Sequence, residues 1–219
     1  MNKINILADT NSLAHLSEVE FNIGKESTRW LWDNFNIYRI KTIEKELDRN
    51  IKRKRSKSFR RVTGRKYQRE AEPYHCKQIE AIESKIISQY YNKSLGEDDK
   101  GERHLIGHAI AAVRMGKFDY CIILTDDHRA FITFMEKIRR DFPFGDIWNV
   151  FDLITYLFLT KNSISFDLAS QAVRTLVPLS SISAKRYKKN GMTDHDARIE
   201  MLNDYLNKLK QISILKTIL

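Results

Sequence analysis

Cysteine, proline and glycine are all scarce in this chain, at two, three and eight of 219 residues. Two cysteines, Cys76 and Cys121, cannot make a disulfide framework, and Cys121 lies in an apolar run where it reads as a small buried hydrophobe. With so little Gly and Pro, no low-complexity tract and no internal repeat, long disorder and repeat arrays are excluded. Long hydrophobic runs are missing too. The most apolar window, about Val150 to Thr160, is too short to span a bilayer and carries Asp152. The opening MNKINILADTN has an apolar stretch far shorter than a signal peptide and interrupted by Asp. Neither GxGxxG nor GxxxxGK occurs, which argues against a dinucleotide enzyme or an NTPase. No Ser-His-Asp or Cys-His arrangement has a recognisable local context. The expectation is a soluble cytoplasmic protein with no membrane partner.

What is present is an uneven charge distribution. The net charge is +10, yet the segment Arg49 to Arg69 holds eleven Lys or Arg and no acid. The body is therefore near neutral and carries one basic arm. Such a block suggests a polyanionic partner, because each neutralised phosphate releases a counterion. A solvated loop that binds nothing is the bland alternative. The residues expected to touch nucleic acid are Arg53, Lys54, Arg55, Lys57, Arg60, Arg61, Arg65 and Lys66. Tyr67 and Tyr74 flank the arm, as stacking platforms or as anchors to the body.

The order of elements reads as follows. Residues 4–8 form an apolar strand ending at Asp9, followed by helical stretches over Ser12 to Val19 and Ser27 to Asn34. Ile37 to Ile40 is a short strand, and Thr42 is a suitable N-cap for a helix from Ile43 to Asn50. After the arm, Pro73 marks a helix start, with Ile79, Ile82, Ile86 and Tyr90 at helical spacing. Lys93 to Lys100 is a polar loop, and Gly101 to Met115 is a helix closed by Gly116. Tyr120 to Leu124 is a continuous apolar run, as befits a central strand covered on both faces. Ala130 to Arg139 is helical and Trp148 to Val150 is a last short strand. Beyond it only helices are expected, at Phe151–Leu159, Phe166–Leu176 and His195–Ile218. Alternating strands and helices predict a three-layer α/β/α sandwich with a central parallel sheet over 1–150, a basic insertion at about 49–70, and a helical C-terminal extension over 151–219.

In open parallel sheets, ligands bind at the carboxyl ends of strands. Carboxylates follow two strands here: Asp9 after the first, and Asp126 with Asp127 after the run at 120–124. Glu46 lies on the helix after the second strand, and Asp99 and Glu102 share a face at a later helix start. Taken alone, Asp99 and Glu102 are accounted for by the helix dipole. Asp9 and Asp127 are not, since acids directly after buried strands have less structural purpose. Several carboxylates drawn together need counter-charge, and a hard cation such as Mg²⁺ or Mn²⁺ supplies it. An ion so held can activate water and stabilise charge on a phosphate.

Four motifs resemble those of PIN-domain nucleases. Ile6-Leu7-Ala8-Asp9-Thr10-Asn11-Ser12-Leu13 is similar to the opening motif, in which a strand delivers an Asp and a polar residue follows two positions on. Glu46-Leu47 resembles the second acid. Gly101-Glu102 followed by Leu105, Ile106 and Ala109 resembles the third motif, and Ile122 to Asp127 the fourth. All stand in family order over roughly residues 3–150. The resemblance implies a metal-dependent ribonuclease fold of the kind found in VapC-type toxins and RNA-processing PIN proteins. It implies Asp9, Glu46, Glu102 and Asp127 as catalytic acids, with Asp9, Glu102 and Asp127 as metal ligands and Asp126 and Asp99 as further candidate ligands. Asn11 and Thr125 would orient substrate or support the acids. Glu44 stands as an alternative to Glu46, Asp99 to Glu102, and Asp126 to Asp127. The long insertion and long tail depart from compact toxins.

Other constellations weigh less. His104 and His108 are four apart on a helix, but no further ligands with zinc spacing accompany them. His104 is placed to line the acidic site, His108 to be partly buried, and His128 to sit in a loop. Lys185 to Lys189 is a smaller basic group, read as a linker. Leu202, Leu206, Leu209 and Ile212 form a stripe suited to core packing or to a partner groove.

The sequence thus points to a Mg²⁺- or Mn²⁺-dependent endonuclease, with RNA expected ahead of DNA. The alternatives are a non-catalytic nucleic-acid-binding module and a protein-interaction subunit of the same fold. An antitoxin or other protein partner, a homodimer, and toxin, defence or RNA-processing roles are all open.

Overall fold

The structure, a computed structural model, describes residues 3–24, 31, 33–52, 72–74, 77–90, 100–127, 135–160, 164–179 and 185–218. Along the chain come β1 (Ile4–Ala8), α1 (Thr10–Ile23), β2 (Phe35–Arg39), α2 (Lys41–Lys52), β3 (Glu72–Pro73), α3 (Lys77–Tyr90), α4 (Lys100–Arg114), β4 (Cys121–Leu124), α5 (Glu136–Asp141), β5 (Gly145–Trp148), α6 (Val150–Thr160), α7 (Phe166–Leu176), a 3-10 turn (Lys185–Tyr187) and α8 (Asp194–Ile218). The basic arm residues Arg53 to Lys66, together with Asp99, His128, Cys76 and the loop at 93–99, lie outside the described residues.

The strands pair in the order β3-β2-β1-β4-β5, and every pairing is parallel. β1 and β4 are the apolar centre: Ile6, Leu7 and Ala8 are sealed from solvent, as are Cys121 to Leu124. This is what continuous apolar runs do when helices cover both faces. Burial pushes the Cys121 thiol well above its ordinary range, in keeping with an inert core cysteine. From β1 the chain steps outward to β2 and β3, then returns and steps the other way through β4 to β5. α2 packs against both α1 and α4. α3 and α4 pack on each other, and α4 lies on β4 and β1. α1 packs on α6 and α7, and α6 lies on β5. The arrangement is α/β and compatible with three layers.

Close approach is set by glycine at two places. Gly145, at φ +145°, runs so near β4 that a Cβ would stand 1.9 Å from the Cys121 carbonyl oxygen. A Cβ on Gly107 of α4 would stand 2.5 Å from Cγ of Glu83 on α3, so the absent side chain lets those helices meet.

Several boundaries differ from the sequence reading, each for a local reason. Pro73 does not open a helix; it pairs with Arg39 at the sheet edge, and Tyr74 N donates to the Arg39 carbonyl at 3.0 Å. A residue without an N–H is tolerated there. α2 starts at Lys41, so Thr42 is inside the helix rather than capping it, and its hydroxyl meets His104 Nδ1 at 2.9 Å. The last strand is Gly145–Trp148, and Val150 belongs to α6. Asn149 and Asp152 cap that helix reciprocally: Asn149 N donates to Asp152 Oδ2 at 3.0 Å and Asp152 N to Asn149 Oδ1 at 2.8 Å.

The C-terminal helices share the core that covers the sheet. Phe151 stacks on Tyr205 with ring centroids 4.6 Å apart, and Lys216 Nζ donates to the Phe158 carbonyl at 2.7 Å. The buried stripe of α8 is Ala197, Met201, Tyr205 and Leu209, with Leu202, Leu206 and Ile212 partly buried beside it. Of the stripe read from the sequence, Leu209 is therefore buried in the core and the other three pack against it while keeping part of their surface exposed. Among the described residues no helix is long and apolar enough to cross a membrane.

Candidate functional site

The strand order reverses between β1 and β4, and the crevice beyond their carboxyl ends is where open parallel sheets hold ligands. Ala8 stands opposite Leu124 in the pairing, and Asp9 N donates to the Leu124 carbonyl at 2.9 Å. The two acidic ends seen in sequence are therefore neighbours in space.

Asp9 is buried and caps α1. Its backbone is extended, its Oδ1 accepts Ser12 N at 2.6 Å, and its Oδ2 accepts the Thr125 hydroxyl at 2.6 Å. Thr125 also accepts Asp127 N at 3.1 Å, so one hydroxyl ties the end of β4 to the end of β1. Burial, then the Asp126 carboxylate, push the Asp9 carboxyl up to about 6, although the bonds from Thr125 and Ser12 pull it back. Asn11, expected to orient Asp9 or substrate, is exposed on the first turn of α1; Ser12 and Thr125 do the orienting.

Two pairs left open by the sequence separate here. Glu44 is ion-paired to Arg39 at 2.9 Å, whereas Glu46 accepts the Thr10 hydroxyl at 2.7 Å, beside Asp9. Gly101 permits this: a Cβ there would stand 3.1 Å from Glu46 Oε1. Asp126 is buried and committed on both oxygens, Oδ1 to Val150 N at 3.1 Å and Oδ2 to His15 Nδ1. It fastens α6 and α1 to the end of β4, while Asp127 is half-buried and acts electrostatically on Glu102.

Glu102 stands at the start of α4 and reports on the whole set. Burial first, then the Asp9 carboxylate, and after it Asp127 and Glu46, push its carboxyl up to about 8. Asp9, Glu46, Glu102 and Asp127 thus come from four elements into one mutually repelling group. Such a group fits a hard cation in the chemistry of its donors. Among the described residues, however, no three His, Cys, Asp or Glu side chains stand in ligating geometry as they are.

Two features escaped the sequence reading. His15 lies at the edge of the site, and its only sequence signal is that it stands one turn beyond Asn11 on the same face of α1. Glu83 is a buried carboxylate between two histidines, 3.1 Å from His104 Nδ1 and 2.8 Å from His108 Nδ1. Its signal was present: position 83 falls on the apolar face marked by Ile79 and Ile86. His104, expected to line the acidic site, turns its Nδ1 to Glu83 and Thr42 instead.

No family model matches the chain, and no curated protein or solved structure shows significant similarity to it.

Proposed function

We propose that the chain is a divalent-metal-dependent endonuclease with a PIN-like fold, acting on RNA ahead of DNA. The observation that carries the reading is the meeting of Asp9, Glu46, Glu102 and Asp127 at the reversal point of the sheet, where burial first and then the neighbouring carboxylates push the Glu102 carboxyl up to about 8. In this reading Asp9, Glu102 and Asp127 hold Mg²⁺ or Mn²⁺, and Glu46 completes the acidic wall. When bound, the ion supplies counter-charge and activation of water at neutral pH. The chain's own part is to hold the acids rigidly. Asp9 is fixed at both oxygens, Thr125 spans Asp9 and Asp127, and Thr10 steadies Glu46. The basic arm begins within α2 at Arg49, about 4.5 Å along the helix from Glu46 at ~1.5 Å per residue. Its charge suits the phosphates flanking a cleaved bond.

Asp9→Asn tests this. Asn is as good an N-cap as Asp, so the start of α1 is retained. It still accepts from Ser12 or Thr125 but lacks the charge. The expected outcome is a folded protein whose Mn²⁺-dependent, EDTA-sensitive cleavage of RNA falls by at least about 100-fold. Wild-type cleavage by this variant rules the reading out.

A second reading, a nucleic-acid-binding module without catalysis, is favoured by one observation: the acids do not stand in ligating geometry. Calorimetric titration with Mn²⁺ separates the two. Binding lost in Asp127→Asn supports the nuclease; no binding to the wild type supports the module.

A further inference from the structure

His15 presents an imidazole to the rim of the acidic crevice with one ring nitrogen committed and the other without a partner among the described residues. Asn11 and His15 are four apart on α1 and leave the helix on one face. Nδ1 of His15 meets Asp126 Oδ2, and Asp126 Oδ1 is itself fixed by the first amide of α6, Val150 N at 3.1 Å. The Asp126 side chain is only 4% exposed, so the imidazole is held from behind by an immobile carboxylate. The bond at Nδ1 fixes both ring orientation and tautomer. Nε2 has no hydrogen-bond partner among the described residues, while the side chain keeps 17% of its surface exposed. A polar ring nitrogen aimed by a buried carboxylate and left without a partner among the described residues is the form of a ligand contact.

The surroundings select the ligand. Asp126, Asp9 and Glu18 all act electrostatically on this imidazole. A phosphate oxygen brought to Nε2 would be repelled by three carboxylates, whereas a neutral hydroxyl would not be. A hydroxyl also both donates and accepts, so it satisfies Nε2 in either protonation state of the ring. In a nucleic acid whose scissile phosphate lies at the acids, the neutral hydroxyl next to it is the ribose 2′-OH.

We infer that His15, aimed by Asp126, contacts the ribose 2′-hydroxyl beside the scissile phosphate and makes this site select RNA over DNA. This rests on the nuclease reading for the placement of the substrate. His15 is a specificity residue here, and Asp126 is its positioning residue.

The test uses the full chain with Mn²⁺ and a set of RNA oligonucleotides, each carrying one 2′-deoxy substitution at successive positions across the mapped cleavage site. For the wild type, one position next to the cut should cost about tenfold in kcat/KM, the worth of one hydrogen bond. In His15→Ala that position should cost nothing further, while the all-RNA rate drops by the same factor. Three results overturn the inference: no single deoxy position affects the wild type, the penalty persists unchanged in His15→Ala, or the variant slows RNA and DNA equally. The first of these needs no variant and decides the matter even if His15→Ala does not fold. If the wild type cleaves nothing, the nuclease reading falls, and fluorescence anisotropy with matched RNA and DNA strands decides this one. Tighter RNA binding that His15→Ala erases upholds the contact; equal binding of the two strands overturns it.

Discussion

Asp126 and Asp127 are adjacent, chemically identical and differently employed. Asp126 spends one oxygen on Val150 N and the other on His15, both in a buried setting. Asp127 donates its backbone amide to Thr125 Oγ1, and its side chain, half-buried, acts electrostatically on Glu102. Replacing Asp126 by Ala should therefore cost stability, on the order of 2 kcal/mol for losing a charge-assisted bond to a buried amide. Replacing Asp127 by Ala should weaken Mn²⁺ binding and lower the urea midpoint less than the Asp126 variant does, because Asp127 is half-buried and Asp126 buried. Equilibrium unfolding and metal titration on the two variants check this; equal unfolding midpoints would show that Asp126 is not the fastener. The sequence placed both acids after the right strand but left their roles open, because roles depend on what arrives from elsewhere. Val150 and His15 are far from residue 126 along the chain, and no local pattern announces them. Glu44 and Glu46 separate for the same reason, one drawn to Arg39 and the other to Thr10.

At the level of elements, period and burial were legible and edges were not. The strands β1 and β4 were readable because their apolar runs are continuous, and α4 because its apolar face and closing Gly116 agree. β5 was misplaced toward Val150 because its apolar residues continue into α6, and the capping pair Asn149 and Asp152 decides where the helix begins. β5 is held by a property a strand reading does not weigh, the missing side chain of Gly145. With φ at +145° and the Cys121 carbonyl 1.9 Å from a would-be Cβ, Gly145→Ala must push β5 off β4 or twist its own backbone. The cost should be on the order of 3 kcal/mol. A denaturant midpoint within experimental error of the wild type would contradict that packing. Because β5 leads into α6, whose first amide binds Asp126, the same variant should also loosen the His15 contact.

For the molecule as a whole, the acidic crevice ties stability to pH in a direction opposite to that of most proteins with paired carboxylates. Asp9 and Glu102 are raised from ordinary values of 3.8 and 4.5 to about 6 and about 8. Between the ordinary and the raised values the folded chain keeps protons that the unfolded chain has lost. Stability then falls as pH rises through that window, from about 4 to about 8, and is flat above it. His15, whose pKa is raised by the Asp126 carboxylate against the opposing effect of burial, acts in the same sense, since its stabilisation is lost as pH climbs through the folded value. His104, lowered by burial, acts oppositely, losing stability as pH drops below 6.5. The lowered acids Asp194, Asp196 and Asp204 are ionised in both states by pH 5 and add no slope there. In metal-free buffer the melting temperature should therefore be higher at pH 5 than at pH 8. Glu102→Gln, which removes the most strongly shifted carboxyl, should flatten the profile and raise the value at pH 8. Excess Mn²⁺ should raise the wild-type value most at pH 8, because the ion binds the ionised acids and competes with the protons. If Glu102→Gln keeps the full slope, the acids do not repel one another in solution as they do here.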